Sequence, residues 1–193
     1  MRNLSVATLI VVVGWFGATQ KCVAATLSVD APSSVAVGDT FTVTVNIAGI
    51  TDLYGFQFDL SFDPTILAAD CSIEGPFLPS GGATFFIPGA IDNIGGAVAF
   101  TADTLLTAIS GVTGDGNLAS FSFDAIGTGT SALTLANVFL VDSSNNPIDV
   151  DLNSGSVTVA GVSTVPEPSS ALLLALVVAI ALGKRRPIKT HSA

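Results

Sequence analysis

Few residues in this 193-residue chain could do chemistry. The one histidine is His191, and the six bases are Arg2, Lys21, Lys184, Arg185, Arg186 and Lys189, all close to the two ends. The span from Thr26 to Ala160 therefore has neither an imidazole nor an amine side chain. That excludes Ser-His-Asp, Cys-His and lysine-nucleophile catalysis there. Zinc sites built on His or several Cys fall by the same count, since the only cysteines are Cys22 and Cys71. Cys71 has no base to activate it and reads as a small buried residue.

Carboxylates remain. Asp59 and Asp63 lie near one strand end, and Asp149 and Asp151 share one strand face. Glycoside hydrolysis uses such pairs, but acids at strand ends are mostly solvated, and the reading is that the protein is not an enzyme. Calcium is the one ion the composition suits, because oxygen ligands abound and no cation competes. In "DSSNNPIDVDLN" the residues that could hold it are Asp142, Asn145 and Asp151. Pro147 stands where an EF-type loop needs Gly, and Asn153 replaces the terminal Glu. A polar turn using Asn and Pro is the competing reading, so no cofactor is expected.

Charge excludes more. The fifteen acids run from Asp30 to Glu167, so the formal charge of −9 divides into −15 for the middle and +6 for the ends. Nucleic-acid binding needs Lys or Arg against phosphate and is ruled out as a partner class. No internal salt bridge can form, so the fold must rest on apolar packing and backbone pairing. Aromatic platforms for sugars are scarce. Trp15 lies near the N-terminus, Tyr54 is in phase with a core face, and Phe77, Phe85 and Phe139 are the rings that could be exposed.

The elements that would position these residues are strands. In "YGFQFDLSF", Tyr54, Phe56, Phe58, Leu60 and Phe62 share one face; in "TFTVTVNI", Phe41, Val43, Val45 and Ile47 do. In "NLASFSFDA", Ala119, Phe121, Phe123 and Ala125 share a face. Alternation of this kind marks half-buried antiparallel strands. Further strands are expected at Thr84–Ile87, Ala97–Ala102, Leu105–Ile109, Ala132–Val141 and Ser156–Val159. The apolar phase slips between Leu135 and Val138, which calls for a β-bulge near Asn137. "DPTILAAD" after Phe62 could form one helical turn. Turns are expected at "VGD", "SGG", "GDGN" (Gly114–Asn117), "GTGT" and "SSNNP". Eight or nine short strands so punctuated read as a β-sandwich.

The ends read as addresses. Arg2 followed by the apolar Leu4–Phe16 stretch and small residues at Ala24 or Ala25 is the pattern of a cleaved secretory signal, residues 1–24. Cleavage there removes Cys22 and leaves Cys71 alone, so no intramolecular disulfide is expected. Near the C-terminus, Ala171–Leu182 is a twelve-residue apolar run, fifteen with Ser169, Ser170 and Gly183. Fifteen helical residues span roughly 22 Å against a hydrocarbon core of about 30 Å. Such a transmembrane helix fits only if Lys184, Arg185 and Arg186 snorkel, with that basic cluster cytoplasmic.

Two family resemblances follow from these residues. Pro166-Glu167-Pro168, the short apolar helix and the Arg-rich tail together resemble the PEP-CTERM sorting signal of Gram-negative bacteria. That resemblance implies recognition and processing near Pro166–Pro168 by an exosortase; a plain single-span anchor is the alternative. The order "LSVDAPSSVAVGDTFTVTVNIAGITDLYGFQFDLSFDPTIL", "GDGNLASFSFDAIGTGTSALTLANVFLVDSSNNPI" and "GSVTV" resembles a cohesin-type domain. It implies an all-β, nine-stranded jelly-roll sandwich, related to some carbohydrate-binding modules, over residues 26–160. A linker would occupy 161–168 and the sorting segment 169–193.

The expected function is that of an exported binding module. It would cross the inner membrane, stay membrane-anchored until processing, and reach the cell surface or extracellular matrix. The cohesin resemblance implies a dockerin-bearing or matrix protein as its partner. The alternative is a carbohydrate-binding module acting on exopolysaccharide.

Overall fold

The structure is a computed structural model, and residues 24–161 are described. The signal segment before Ala24, the Pro166-Glu167-Pro168 motif and the apolar and basic C-terminal segment lie outside the described residues. Among the described residues no helix is long and apolar enough to cross a membrane.

Ten strands and one 3-10 turn make up the domain. They are β1 (Ala25–Asp30), β2 (Ser34–Ala36), β3 (Thr40–Ser61), β4 (Leu67–Glu74), β5 (Ala90–Asp92), β6 (Ala97–Thr104), β7 (Val112–Ala125), β8 (Gly129–Asp142), β9 (Val150–Asn153) and β10 (Gly155–Ala160), with the 3-10 turn at Leu78–Ser80. The nine expected strands are corrected to ten. The two early alternating runs are one 22-residue strand, β3, shared by both layers. Its first half, Thr40–Ile47, pairs antiparallel with β1 and β7; its second half, from Leu53, pairs with β8 and, from Gly55, with β6. Left-handed residues at the crossover, Gly49 (φ +70°) and Asp52 (φ +60°), let the strand bend without breaking.

One layer thus runs β9-β1-β3-β7-β4 and the other β5-β6-β3-β8-β10-β2. Between them lies one apolar core. Phe58 of the second layer meets Phe121 of β7 edge-on at 6.2 Å between centroids, and Phe62 meets Phe123 at 5.0 Å. Phe58, Phe121, Phe123, Leu27, Leu60 and Leu133 are fully buried. Each such side chain contributes about 1.5–3 kcal/mol on burial, which is what holds a domain with no ion pairs together.

Several expectations are revised. Thr84–Ile87 is a short extended segment with two bridges, to Leu105 and Ala102, rather than a full strand. Leu105–Ile109 leaves the sheet after Leu105. The single helical turn after Phe62 is present at residues 64–66, where the Asp63 carbonyl accepts the Ile66 and Leu67 N–H groups at 3.1 and 2.9 Å before the chain enters β4. "GDGN" lies inside β7, where the pairing with β3 is irregular and the Asp115 carboxylate accepts the Gly49 N–H at 2.6 Å. Cys71 is exposed, on β4 beside a register shift between Ala69 and Cys71. The bulge near Asn137 is present: Gln57 pairs with Phe139 but Asp59 with Ala136, and Asn137 has φ +50°.

The lateral seam between the layers is closed by a side chain acting as backbone. The Asn93 amide accepts the Ala69 N–H at 2.8 Å and donates to the Ala69 carbonyl at 3.0 Å. That satisfies an edge of β4 that would otherwise invite a foreign strand.

Candidate docking face

The outer face of the second layer is built from three strands and an edge segment. Along β3 the outward residues are Gly55, Gln57, Asp59 and Ser61, alternating with buried Phe56, Phe58 and Leu60. Phe139 and Val141 of β8 flank them on one side, Ala102 and Thr104 of β6 on the other, and Phe85 and Ile87 lie beyond β6. Together they line a shallow depression of about 200 Å³. Gly55 keeps its floor low: a Cβ there would sit 3.2 Å from the Asp103 carbonyl and 3.3 Å from the Thr104 hydroxyl. Phe85 and Phe139 are more than half exposed. Of the three rings expected at the surface, only Phe77 is buried.

A third exposed ring, Phe100, was not legible from alternation. A simple period would put Val98, Phe100 and Ala102 on the core face. Instead β6 carries a bulge: Phe58 pairs with Thr101 but Leu60 with Val98. The extra residue shifts the phase, so Phe100 is turned outward at φ +59° while Thr101 and Asp103 are buried. The carboxylate of Asp59 braces this bulge and its counterpart on β8. It accepts the Phe100 N–H at 2.7 Å on Oδ1 and the Asn137 side-chain amide at 2.6 Å on Oδ2. Asp59 is therefore a staple. Asp63 is likewise structural, accepting the N–H and hydroxyl of Thr65 at 2.9 and 2.7 Å, bonds that hold its carboxyl below the usual value.

Behind the face, Asp103 is only 3% exposed. Its Oδ1 accepts the Thr104 N–H at 2.8 Å, and Oδ2 has no partner of normal geometry; neither has the Thr101 hydroxyl. Burial, reinforced by the nearby carboxyl of Glu74, pushes Asp103 up to about 7. The Thr84 hydroxyl donates to Glu74.

At one end of the sandwich the loops are tied by acids. Asp52 accepts the Ser143 hydroxyl and the Gly111 N–H, which hold its carboxyl below the usual range. Tyr54 is half-buried rather than a core residue, and its hydroxyl donates to the Thr107 carbonyl at 2.9 Å. Asp142 accepts the Asn146 side-chain amide and the N–H groups of Asn146 and Ser144, again depressing its pKa. Its oxygens are thus engaged in the turn. Asn145 is exposed at φ +62° within that turn, and Asp151 lies exposed on β9, beside β1. Asp149 precedes that strand and is exposed as well. Among the described residues no group of three or more His, Cys, Asp or Glu is placed to hold a metal ion.

A two-layer sandwich with a bent shared strand and a shallow aromatic-lined sheet face defines an all-β sandwich domain. The chain belongs to the cohesin-domain family, whose model matches residues 25–159. No curated protein matches the chain in sequence. Its fold is similar to a non-cellulosomal cohesin from Archaeoglobus fulgidus, at 18% identity and TM-score 0.56, covering 71% of this chain and 91% of that one. It is also similar to a cohesin module of a Clostridium perfringens family 33 glycoside hydrolase: 14% identity, TM-score 0.59, covering 72% and 98%. A type I cohesin–dockerin complex from Clostridium thermocellum matches at 15% identity and TM-score 0.58, covering 71% and 95%. The match covers these solved modules almost whole, and the family model spans the same residues as one domain.

Proposed function

We propose that this chain is an exported, non-enzymatic recognition module that binds a dockerin-like protein partner through the outer face of β8, β3, β6 and the Thr84–Ile87 segment. The observation that carries the reading is the exposed pair Phe85 and Phe139 gathered around the Gly55 depression, since rings grouped at a depression, unlike scattered exposed side chains, mark an interaction site. Family membership and the cohesin–dockerin assembly formed by the Clostridium thermocellum neighbour support the class of partner. Between residues 24 and 161 there are fourteen carboxyl groups and no Lys, Arg or His, which favours a basic partner surface. The terminal segments support export by a signal peptide and sorting by an exosortase to the cell surface or matrix.

Calorimetric titration with a dockerin domain from the same genome tests the binding. Loss of binding in the Phe85→Ala/Phe139→Ala double variant, with an unchanged circular dichroism spectrum, is the expected result; undiminished binding sinks this face. Intact mass spectrometry tests the sorting: a mature form ending near Pro166–Pro168 is expected, and one ending at Ala193 refutes it. The same two rings favour, as a second reading, stacking on exopolysaccharide. Glycan-array binding abolished by the same double variant would select it.

A further inference from the structure

Asp103 is the one carboxyl buried among the described residues. It sits at the seam where β4, β6 and the Thr84–Ile87 segment meet. Glu74 reaches it from β4, the edge strand of the other layer, and Thr84 ties that same Glu74 to the segment. The segment carries Phe85, one wall of the docking depression. We propose that Asp103, Glu74 and Thr84 form a proton-operated latch that holds the Phe85 segment in the docking face while the two carboxyls share a proton and releases it when both ionise.

The argument is geometric first. Asp103 Oδ1 is committed to the Thr104 N–H, so a shared proton belongs on Oδ2, the buried oxygen that otherwise has no partner. With that proton, Oδ2 is a donor and Glu74 the acceptor facing it. Without it, two carboxylates oppose each other inside the protein. No positive charge compensates them: Glu74 is the only charged group acting on Asp103, β3 presents Phe56 opposite it, and Thr104 and Thr84 bring only an N–H and a hydroxyl. No Lys, Arg or His exists between residues 24 and 161.

The element that gives way is the least anchored one. β4 is paired along its length with β7, and β6 with β3. The Thr84–Ile87 segment hangs on β6 by four backbone bonds, Phe85 N–H to Thr104 at 2.9 Å, Leu106 N–H to Ala83 at 2.9 Å, and Ile87 and Ala102 exchanging bonds at 2.7 and 3.1 Å, with Phe86 as its one ring against the core. Segments held this weakly open at the low-stability end of a fold. The site is poised to switch near pH 7, closed on the acid side.

The consequence for binding rests on the docking-face reading; the latch itself does not. The test is an amide NMR titration of the 25–160 domain from pH 5 to 8.5, without partner. In the wild type the Phe85, Ile87, Ala102 and Thr104 amides should titrate together near pH 7. At pH 8 the Phe85 amide should exchange faster than in Asp103→Asn at the same pH by up to about a thousandfold, since each of the roughly three units between 3.8 and about 7 is worth one factor of ten. Asp103→Asn should abolish the titration and stay closed; Glu74→Gln leaves Asp103 buried but removes the opposing carboxyl, so it should move the midpoint down, which keeps the test readable should the first variant fail to fold. Titration unchanged in either variant, or that spreads over β1 and β7 equally, overturns the latch. Binding that fails at every pH while the titration is intact refutes the docking face and leaves the latch standing.

Discussion

Asp59 offers a sharp test of how this sheet is shaped. Its two oxygens hold two bulges, one on each neighbouring strand, by bonds of 2.7 and 2.6 Å. A hydrogen bond to a charged acceptor contributes roughly 1.5–3 kcal/mol net. Asp59 is partly exposed, so the lower end applies to each, and Asp59→Ala should cost about 3 kcal/mol. The second half of the argument concerns Phe100, held at φ +59°. A Cβ in the left-handed region costs roughly 1–2 kcal/mol, while glycine adds about 0.4–1 kcal/mol of unfolded-state entropy to be lost. Phe100→Gly and Phe100→Ala delete the same ring. Glycine should therefore be the more stable of the two by about 0.5–1 kcal/mol, the reverse of the order expected at an ordinary strand position. Urea denaturation followed by circular dichroism measures both. An alanine variant at position 100 as stable as the glycine one, or an Asp59→Ala cost below about 0.5 kcal/mol, would refute the staple.

Stability should peak on the acid side of neutrality. Asp103 is raised, so its contribution is full below the unfolded value of 3.8 and is lost as pH rises through about 7, up to roughly 4 kcal/mol in all; the difference profile against Asp103→Asn isolates it, and parallel profiles would contradict it. Asp52, Asp63, Asp92 and Asp142 are lowered by hydrogen bonds, so their contributions are present above 3.8 and are lost as pH falls further; denaturation midpoints should drop below that pH. Gly96→Ala should destabilise by more than about 2 kcal/mol, since Gly96 has φ +73° and a Cβ would lie 2.3 Å from the Phe62 carbonyl; a wild-type melting temperature would sink that. Millimolar calcium should shift the melting temperature of the wild type and of Asp142→Ala equally. A shift seen in the wild type alone would show that the turn binds the ion.

Much of the framework could be read from period two. The alternating runs around Phe41–Ile47, Phe56–Phe62 and Ala119–Ala125 are core-facing as expected, because burial of one face of an antiparallel strand writes itself into sequence. The bulge at Asn137 was legible for the same reason: the apolar phase changed on both sides of it. The bulge at Phe100 was not. Its flanks, "AVAF" and "TADT", contain small and polar residues on both phases, so no slip is visible. β2, β4, β5 and β9 lie at sheet edges and bury too little to impose alternation; β1 lies inside its layer with Ala25, Leu27 and Val29 buried, but its alternation spans only six residues.

Composition alone determined that the domain has no base, no imidazole and no cation, and therefore neither a catalytic triad nor a salt bridge. A residue type that is absent cannot be supplied by folding. Which acids are staples, which cap turns and which one is buried was decided by tertiary structure. Asp59, Asp103 and Asp142 look alike in sequence. One extra residue in β6 turns Phe100 out and Asp103 in, and only pairing with the neighbouring strand fixes where that residue is accommodated. Bulge position is a property of two strands in register, and a single sequence records only one of them at a time.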